Sequence, residues 1–175
     1  MEIWDLYDEQ GNKTGETWER ARAREIPEDR YHIVCDILIR HRDGDFLLTF
    51  RDPRKDIYPG CWEASAGGSA LAGETPEEGA RREMLEETGL KAENLELISV
   101  TPKPWARSVI YAYLSVVDCP KVAVRLQEGE TGDIQEHDGF GSAEIGPFLH
   151  IPEDVDQIPL RIINCRGKGT AAQLR

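Results

Sequence analysis

The chain has 175 residues, of which 39% are hydrophobic and 31% are charged, an ordinary composition for a soluble globular domain. Its formal net charge of −12 argues against a nucleic-acid backbone or an anionic membrane as the main partner, because both are also negatively charged. No apolar run approaches the roughly 18 residues that a membrane span needs, and the N-terminus lacks the basic and apolar segments of a signal peptide. We therefore expect a cytoplasmic protein.

The first 30 residues are predicted to form a strand and helix extension that packs on the main domain. Residues 3–7 favour a short strand, the polar residues 10–12 favour a turn, and residues 17–26 favour one or two helical turns. The extension precedes a main domain that we place at residues 31–165.

The clearest strand signal is a β-hairpin near the start of that domain. Apolar runs at residues 32–40 and 45–50 flank Asp43 and Gly44, a pair of residues typical of tight hairpin turns. Two later apolar runs, residues 95–100 and 109–117, predict two further strands.

The segments around these later strands are less regular. The prolines between residues 101 and 108 predict a loop. Residues 121–126 favour another strand, residues 142–149 and 154–163 favour short helices, and residues 166–175 favour a flexible tail. Several strands around one strong helix predict an α/β domain with a mixed sheet.

That helix has clear signals at both of its ends. Thr75 is a good N-cap, Pro76 suits the first helical position, and Glu78 completes a capping box with Thr75. Gly89 suits the left-handed residue that ends a helix. The sequence therefore predicts a helix at Pro76–Thr88.

Three carboxylates share one side of this helix. At 100° per residue, Glu83, Glu86 and Glu87 lie within roughly 100° of arc, where like charges repel by a few tenths of a kcal/mol per pair. A solvated acidic face is the simplest interpretation. However, Gly67 and Gly68 precede the helix, and glycines allow a backbone to approach a ligand closely. Carboxylate and carbonyl oxygens together favour Mg²⁺ or Mn²⁺, which bind substrate phosphates.

Residues 68–90 resemble the Nudix box, G-x5-E-x7-R-E-U-x-E-E-x-G-U, in which U is apolar. Every defined position of the motif is matched. In chain order the matching residues are Gly68, Glu74, Arg82, Glu83, Met84, Glu86, Glu87, Gly89 and Leu90. The resemblance implies an α/β/α sandwich with a central mixed sheet. It also implies a hydrolase that cleaves the diphosphate bond of a small molecule with Mg²⁺ or Mn²⁺.

The resemblance also implies roles for individual residues. Glu86 and Glu87 would bind the metal, and Glu83 would be a further ligand or would orient the attacking water. The Gly67 carbonyl would complete the metal's ligands. Arg82 would hold a glutamate of the cluster, and Glu74 would support the loop.

Residues outside the box are candidates as well. Family members often recruit a later acid as a base or an extra ligand, and Glu128 or Glu130 could serve, although either could equally be a solvated loop residue. Arg51, Arg54 and Lys55 lie just before the box and could reach phosphates, with a plain surface loop as the alternative.

Two other functions remain to be weighed. The N-terminal segment resembles that of isopentenyl diphosphate isomerase, a Nudix-fold relative that needs a catalytic cysteine and a nearby histidine. Gly67 and Ser69 stand at those two positions, Cys61 lies on the wrong side of Trp62, and only His32 has a plausible counterpart. A nucleotide-sensing domain without activity is the other alternative, although such domains usually lose glutamates of the box. The sequence leaves a homodimer open.

Overall fold

The computed structural model describes residues 1–50, 62–120, 123–125 and 149–150. Its strands are β1 (Ile3–Tyr7), β2 (Lys13–Glu19), β3 (His32–His41), β4 (Asp45–Phe50), β5 (Trp62–Ala64), β6 (Ala66–Ser69), β7 (Glu96–Lys103), β8 (Ser108–Val117) and β9 (Leu149–His150). Within these ranges there is one α-helix, α1 (Pro76–Thr88), and two 3-10 helices, Arg20–Glu25 and Pro104–Ala106.

A mixed sheet forms the centre of the fold, as the sequence predicts. Its described strands run in the order β5-β4-β3-β8-β7, with β6 also paired to β3 and β9 to β4. β3 pairs in parallel with β8 and antiparallel with β4 and β6. The predicted hairpin of β3 and β4 is therefore confirmed.

β3 lies in the middle of the described strand order, and its side chains alternate between the two faces of the sheet. Ile33, Cys35, Ile37 and Ile39 are all buried on the same face. They belong to one core cluster with Met84 of α1. Burial of these aliphatic side chains fixes the register of β3, because a slip of one residue would expose them to water.

The predicted helix is confirmed at both ends. Thr75 Oγ1 accepts a hydrogen bond from the Glu78 N–H at 3.2 Å, and the Glu78 carboxylate accepts one from the Thr75 N–H at 2.8 Å. Gly89 ends the helix with a φ of 70°. Gly79 lets α1 approach the loop after β6 closely, because a Cβ there would lie 3.1 Å from the Ala70 Cα.

The N-terminal extension is a hairpin of β1 and β2 followed by a 3-10 helix, so the predicted helical turns at residues 17–26 are only partly correct. Residues 17–19 are in β2, because Trp18 pairs with Trp4 across the hairpin. The helix that follows is of the 3-10 type, with non-helical angles at Arg22. The division into residues 1–30, 31–165 and 166–175 stays a prediction.

Three contacts attach this hairpin to the rest of the fold. Trp4 stacks on His32, with ring centroids 4.2 Å apart and planes 9° apart. Tyr7 forms an isolated β-bridge with Tyr31. Trp4, Leu6 and Ile26 form a small buried cluster, and Leu71 of the loop after β6 packs against it. The hairpin is therefore held against the start of β3.

The loop predicted at residues 101–108 is only partly observed. β7 continues through Pro102 to Lys103, and a 3-10 helix follows. A proline is tolerated here because β7 is the last strand of the described sheet, so one of its edges has no strand partner there.

Two weaker sequence predictions are wrong where they can be assessed. Residues 123–125 are not in a strand, because the Ala123 N–H donates to Pro120 and the Arg125 N–H donates to Thr88 at the end of α1. The sequence predicts Leu149 at the end of a helix, yet Leu149 is in β9 and pairs with Phe46 of β4. The predictions for residues 126–148 and 151–175 lie outside the described residues. No helix in the described part of the chain is long and apolar enough to cross a membrane.

His32 is predicted to make the stability of the fold sensitive to pH. It is buried, and its Nδ1 lies 2.9 Å from the Arg107 carbonyl oxygen, so Nδ1 carries a proton in the neutral ring. Burial lowers the pKa of His32 to about 4, although the Arg107 carbonyl opposes this shift. Since the unfolded chain would bind the proton at about pH 6.5, the free energy of unfolding should fall from about pH 6.5 towards pH 4, by at most about 1.4 kcal/mol per pH unit.

Urea unfolding between about pH 7 and pH 5 would measure this effect in the wild type and in His32→Phe. Phenylalanine keeps a ring against Trp4 but does not titrate, and the Arg107 carbonyl still accepts the backbone N–H of residue 32. We expect a shallower pH dependence in the variant, whatever its absolute stability. Identical slopes for the two proteins would contradict the assignment.

Candidate active site

Arg82 lies at the centre of the candidate site and makes five hydrogen bonds to described residues. Its Nε and Nη2 donate to the two carboxylate oxygens of Glu74 at 2.8 and 3.0 Å. Its Nη1 donates to Glu83 at 2.8 Å and to Glu86 at 3.1 Å, and Nη2 also donates to the Ser69 carbonyl at 3.0 Å. The hydrogen bonds to Glu74 contribute most to raising the pKa of Arg82 well above its usual range. The guanidinium therefore joins three carboxylates that would otherwise repel one another.

Glu74 connects the loop after β6 to the helix. Besides its two bonds to Arg82, its carboxylate accepts the Leu71 N–H at 2.8 Å. Arg82 holds the pKa of Glu74 below its usual value, although partial burial opposes that shift. Glu74 thus remains an anion that connects its own loop to α1, and the supporting role that the resemblance implies for it stays a prediction.

Glu83 is the least exposed of the carboxylates bound to Arg82, with 14% of its side chain accessible, compared with 49% for Glu86. Burial raises the pKa of Glu83, while the hydrogen bond from Arg82 opposes that rise. A Cβ at Gly68 would lie 2.3 Å from the Glu83 carboxylate carbon. Only glycine at residue 68 leaves room for the carboxylate in this position.

Glu87 contacts β6 on the sheet. Its Oε2 accepts a hydrogen bond from the Gly67 N–H at 2.9 Å. Gly67 pairs with Asp36 in the neighbouring strand β3. The structure therefore brings Glu87 and Gly67 together through the glycine N–H, and the role predicted for the Gly67 carbonyl stays a prediction.

The predicted metal-binding residues are near one another but do not form a ready cage. Glu83 and Glu86 bind the same guanidinium nitrogen, and Glu87 binds a backbone N–H. Among the described residues, no group of three or more carboxylate, histidine or cysteine side chains is arranged so that it could hold a metal ion. Their donor atoms are nevertheless all oxygens, which suit Mg²⁺ or Mn²⁺.

The other predicted site residues cannot be placed. Arg51, Arg54, Lys55, Glu128 and Glu130 all lie outside the described residues. Their roles in binding phosphate or metal stay predictions.

Sequence reasoning missed contributors to this site that act through the backbone or over long distances. The Ser69 carbonyl accepts a bond from Arg82, a role that no side-chain pattern can indicate. Asp5, which lies 68 positions before Gly73, accepts the N–H of that glycine at 2.8 Å. Nothing in the spacing of the motif points to residue 5.

Residues 30–155 match the family model described as the NUDIX domain. An uncharacterized Nudix hydrolase of Listeria monocytogenes is 38% identical over 90 residues, which are 51% of this chain and 52% of that protein. A Corynebacterium glutamicum protein named isopentenyl-diphosphate Delta-isomerase is 28% identical over 171 residues, covering 90% of this chain and 89% of the relative. The chain thus spans about half the length of the Listeria relative, but most of the second relative.

Among solved structures, DR0079 from Deinococcus radiodurans is 25% identical, with a TM-score of 0.57 over 68% of this chain and 74% of that chain. This likeness and the mixed sheet confirm the predicted Nudix α/β/α fold class. The family match covers more than half of the sequence and includes the whole box around Arg82. The chain therefore belongs to the Nudix hydrolase family.

Proposed function

We propose that this protein is a metal-dependent hydrolase that cleaves a diphosphate bond in a nucleoside diphosphate-linked or related small molecule. The observation that carries the proposal is the convergence of Glu74, Glu83 and Glu86 on the single guanidinium of Arg82. A purely solvated acidic face would not need a partly buried arginine to organise it.

Glu86 and Glu87 would hold Mg²⁺ or Mn²⁺, together with the Gly67 carbonyl, and Glu83 would be a further ligand or would orient the attacking water. They supply the hard oxygen donors that these ions prefer. When bound, the ion would neutralise charge on the diphosphate and make a bound water more acidic. Arg82 keeps two of these carboxylates on one side of α1 despite their like charges.

In the proposed reaction, water adds to one phosphorus atom and the bridging P–O bond breaks, giving two phosphate products. Glu83 would orient this water and accept its proton at a carboxylate oxygen. Glu74 is less suited to that task, because both of its oxygens are already bound to Arg82. A later acid, Glu128 or Glu130, could instead act as the base, as the sequence suggests.

An isomerase is the second candidate, since the Corynebacterium relative named as one covers 90% of this chain. The geometry at Gly67 disfavours it. A Cβ there would lie 3.0 Å from the Cys35 carbonyl oxygen, so the backbone leaves little room for the cysteine that an isomerase needs. His32, the one plausible counterpart, is buried beside Trp4. The intact box likewise favours a hydrolase over a non-catalytic sensor.

The substrate class would be found by incubating the protein with Mg²⁺ or Mn²⁺ and a panel of diphosphates. The panel would contain ADP-ribose, a dinucleotide polyphosphate, a nucleotide sugar and isopentenyl diphosphate, with products separated by chromatography. Metal-dependent cleavage of one compound would support the proposal. Conversion of isopentenyl diphosphate to its isomer would contradict it, and so would tight binding of a compound that is never cleaved.

Glu86→Gln should abolish most of this activity while leaving the fold intact. The substitution removes a negative charge from the proposed metal site, and we expect kcat to fall by roughly 100-fold or more. Even the loss of a residue that only hydrogen-bonds to a metal ligand lowers activity or metal affinity by about 10–100-fold. Because the Glu86 side chain is half exposed, the free energy of unfolding should change by less than about 1 kcal/mol.

Glu93→Gln is the matched control, because Glu93 is an exposed glutamate outside the box. It should retain wild-type kcat. Equal activity in Glu86→Gln and Glu93→Gln would show that the carboxylates of the box do not carry the reaction.

Gly68→Ala should inactivate the enzyme through Glu83. The new methyl group would overlap the Glu83 carboxylate, which can swing away because it is the end of a flexible side chain. We therefore expect a folded protein whose kcat falls about as far as that of Glu83→Ala. The double variant should be no worse than either single variant, because both changes remove the same carboxylate from the site.

Ser69→Ala is the control for this experiment, since it keeps the backbone carbonyl that accepts from Arg82. Circular dichroism would confirm that each variant is folded. Additive losses in the double variant would contradict the proposed link between Gly68 and Glu83.

A further inference from the structure

The N-terminal hairpin binds the loop between β6 and α1. The donors are backbone N–H groups of the loop, and the acceptors are oxygens of the hairpin. The Ala72 N–H donates to the Ile3 carbonyl at 2.7 Å, and the Gly73 N–H donates to Asp5 Oδ2 at 2.8 Å. Leu71 packs against the buried cluster of the extension. Three consecutive loop residues therefore contact an element that lies before the part of the chain matched by the family model.

The same loop carries Glu74 into the candidate site. The Leu71 N–H donates to the Glu74 carboxylate, which in turn binds Arg82 through both oxygens. The Glu74 N–H closes the turn by donating to the Leu71 carbonyl at 3.0 Å. Any movement of residues 71–73 would therefore displace Glu74, and with it the guanidinium that holds the other carboxylates.

Asp5 is placed to resist such movement. Its side chain is 18% exposed, and its Oδ2 also accepts a hydrogen bond from Lys13 of the same hairpin at 2.7 Å. Trp4 and Tyr7, on either side of Asp5 along β1, anchor that strand to His32 and Tyr31. The acceptor for the Gly73 N–H is thus part of a well-attached strand.

Gly73 itself needs an external contact. Its φ of 92° lies in the left-handed region, and a Cβ at this position would meet no other atom. A side chain at this position would therefore have no packing partner within 4 Å, and a glycine backbone has more conformational freedom than any other. The bond to Asp5 supplies a restraint at the most mobile type of residue in the loop.

We propose that Asp5 is a positioning residue for the carboxylate site, acting through Gly73, Glu74 and Arg82. It fixes residues 71–74, so that Arg82 keeps Glu83 and Glu86, two carboxylates of the proposed metal site, together on one side of α1. The consequence for catalysis rests on the proposed function. The restraint on the loop does not.

Three variants separate this role from general stabilisation. Asp5→Ala removes the acceptor of the Gly73 N–H together with the partner of Lys13. Asp5→Asn keeps an oxygen for the Gly73 N–H but loses the charge, and Lys13→Met loses the same ion pair while leaving Asp5 in place. Loss of the ion pair is therefore common to all three variants, and loss of the loop contact belongs to Asp5→Ala alone.

Amide hydrogen exchange followed by NMR would report on the loop, and Mn²⁺ binding followed by electron paramagnetic resonance would report on the site. Asp5→Ala should speed exchange of the Gly73 and Ala72 amides and weaken Mn²⁺ binding by about tenfold. That is the lower end of the loss in affinity when a residue that supports metal ligands is removed. With an identified substrate, kcat should fall while KM stays nearly constant. Asp5→Asn and Lys13→Met should stay close to the wild type in each measurement.

The proposal would be overturned if Asp5→Ala left both the loop exchange and the Mn²⁺ affinity unchanged. It would also be overturned if the three variants lost affinity equally, since the cause would then be the ion pair. A wild-type protein that binds no Mn²⁺ would contradict the proposed function instead. Exchange at Gly73 would in that case decide by itself whether Asp5 positions the loop.

Discussion

The pair of hydrogen bonds between Arg82 and Glu74 is the interaction on which the site depends. It is bidentate and partly buried, with 22% of each side chain exposed, so water screens it less than a surface ion pair. Through it the loop after β6 and the helix α1 become one unit. The remaining donors of the guanidinium are then free to gather Glu83 and Glu86, whose like charges would otherwise push them apart.

The sheet determines where this unit sits. Small residues let the start of α1 lie close to the sheet. A Cβ at Gly79 would lie only 3.1 Å from the Ala70 Cα and 3.4 Å from the Cys35 Sγ. Burial raises the pKa of Cys35 to about 12, and its thiol donates to the Pro76 carbonyl at 3.1 Å. Cys35 is therefore a neutral core residue beneath the helix, without the thiolate character that a catalytic cysteine requires.

The N-terminal hairpin gives the loop a second support from outside the family domain. Ile3 and Asp5 accept hydrogen bonds from the loop backbone. Glu74, which is part of the loop, accepts one from the N–H of Leu71. A loop with Gly73 in the left-handed region would have little preference for one shape by itself. Contacts from both sides stabilise the shape in which Glu74 meets Arg82.

The sequence by itself determined the features whose causes are local. The ends of α1 follow from the capping box of Thr75 and Glu78 and from Gly89, all of which act within one helical turn. The hairpin of β3 and β4 follows from the Asp43–Gly44 turn between two apolar runs. The spacing of the box likewise placed the acidic residues of α1 on one side, because helical periodicity is regular.

Tertiary structure decided the features that depend on partners distant in the chain. Pro102 lies in a strand because β7 is at the edge of the described sheet, and residues 123–125 do not form one because their N–H groups bond to Pro120 and Thr88. Which acceptor each Arg82 donor would find, and that Asp5 would meet Gly73, could not be inferred from spacing. These contacts exist only once the sheet has brought separate segments together, since hydrogen bonds between distant residues leave no periodic trace in the sequence.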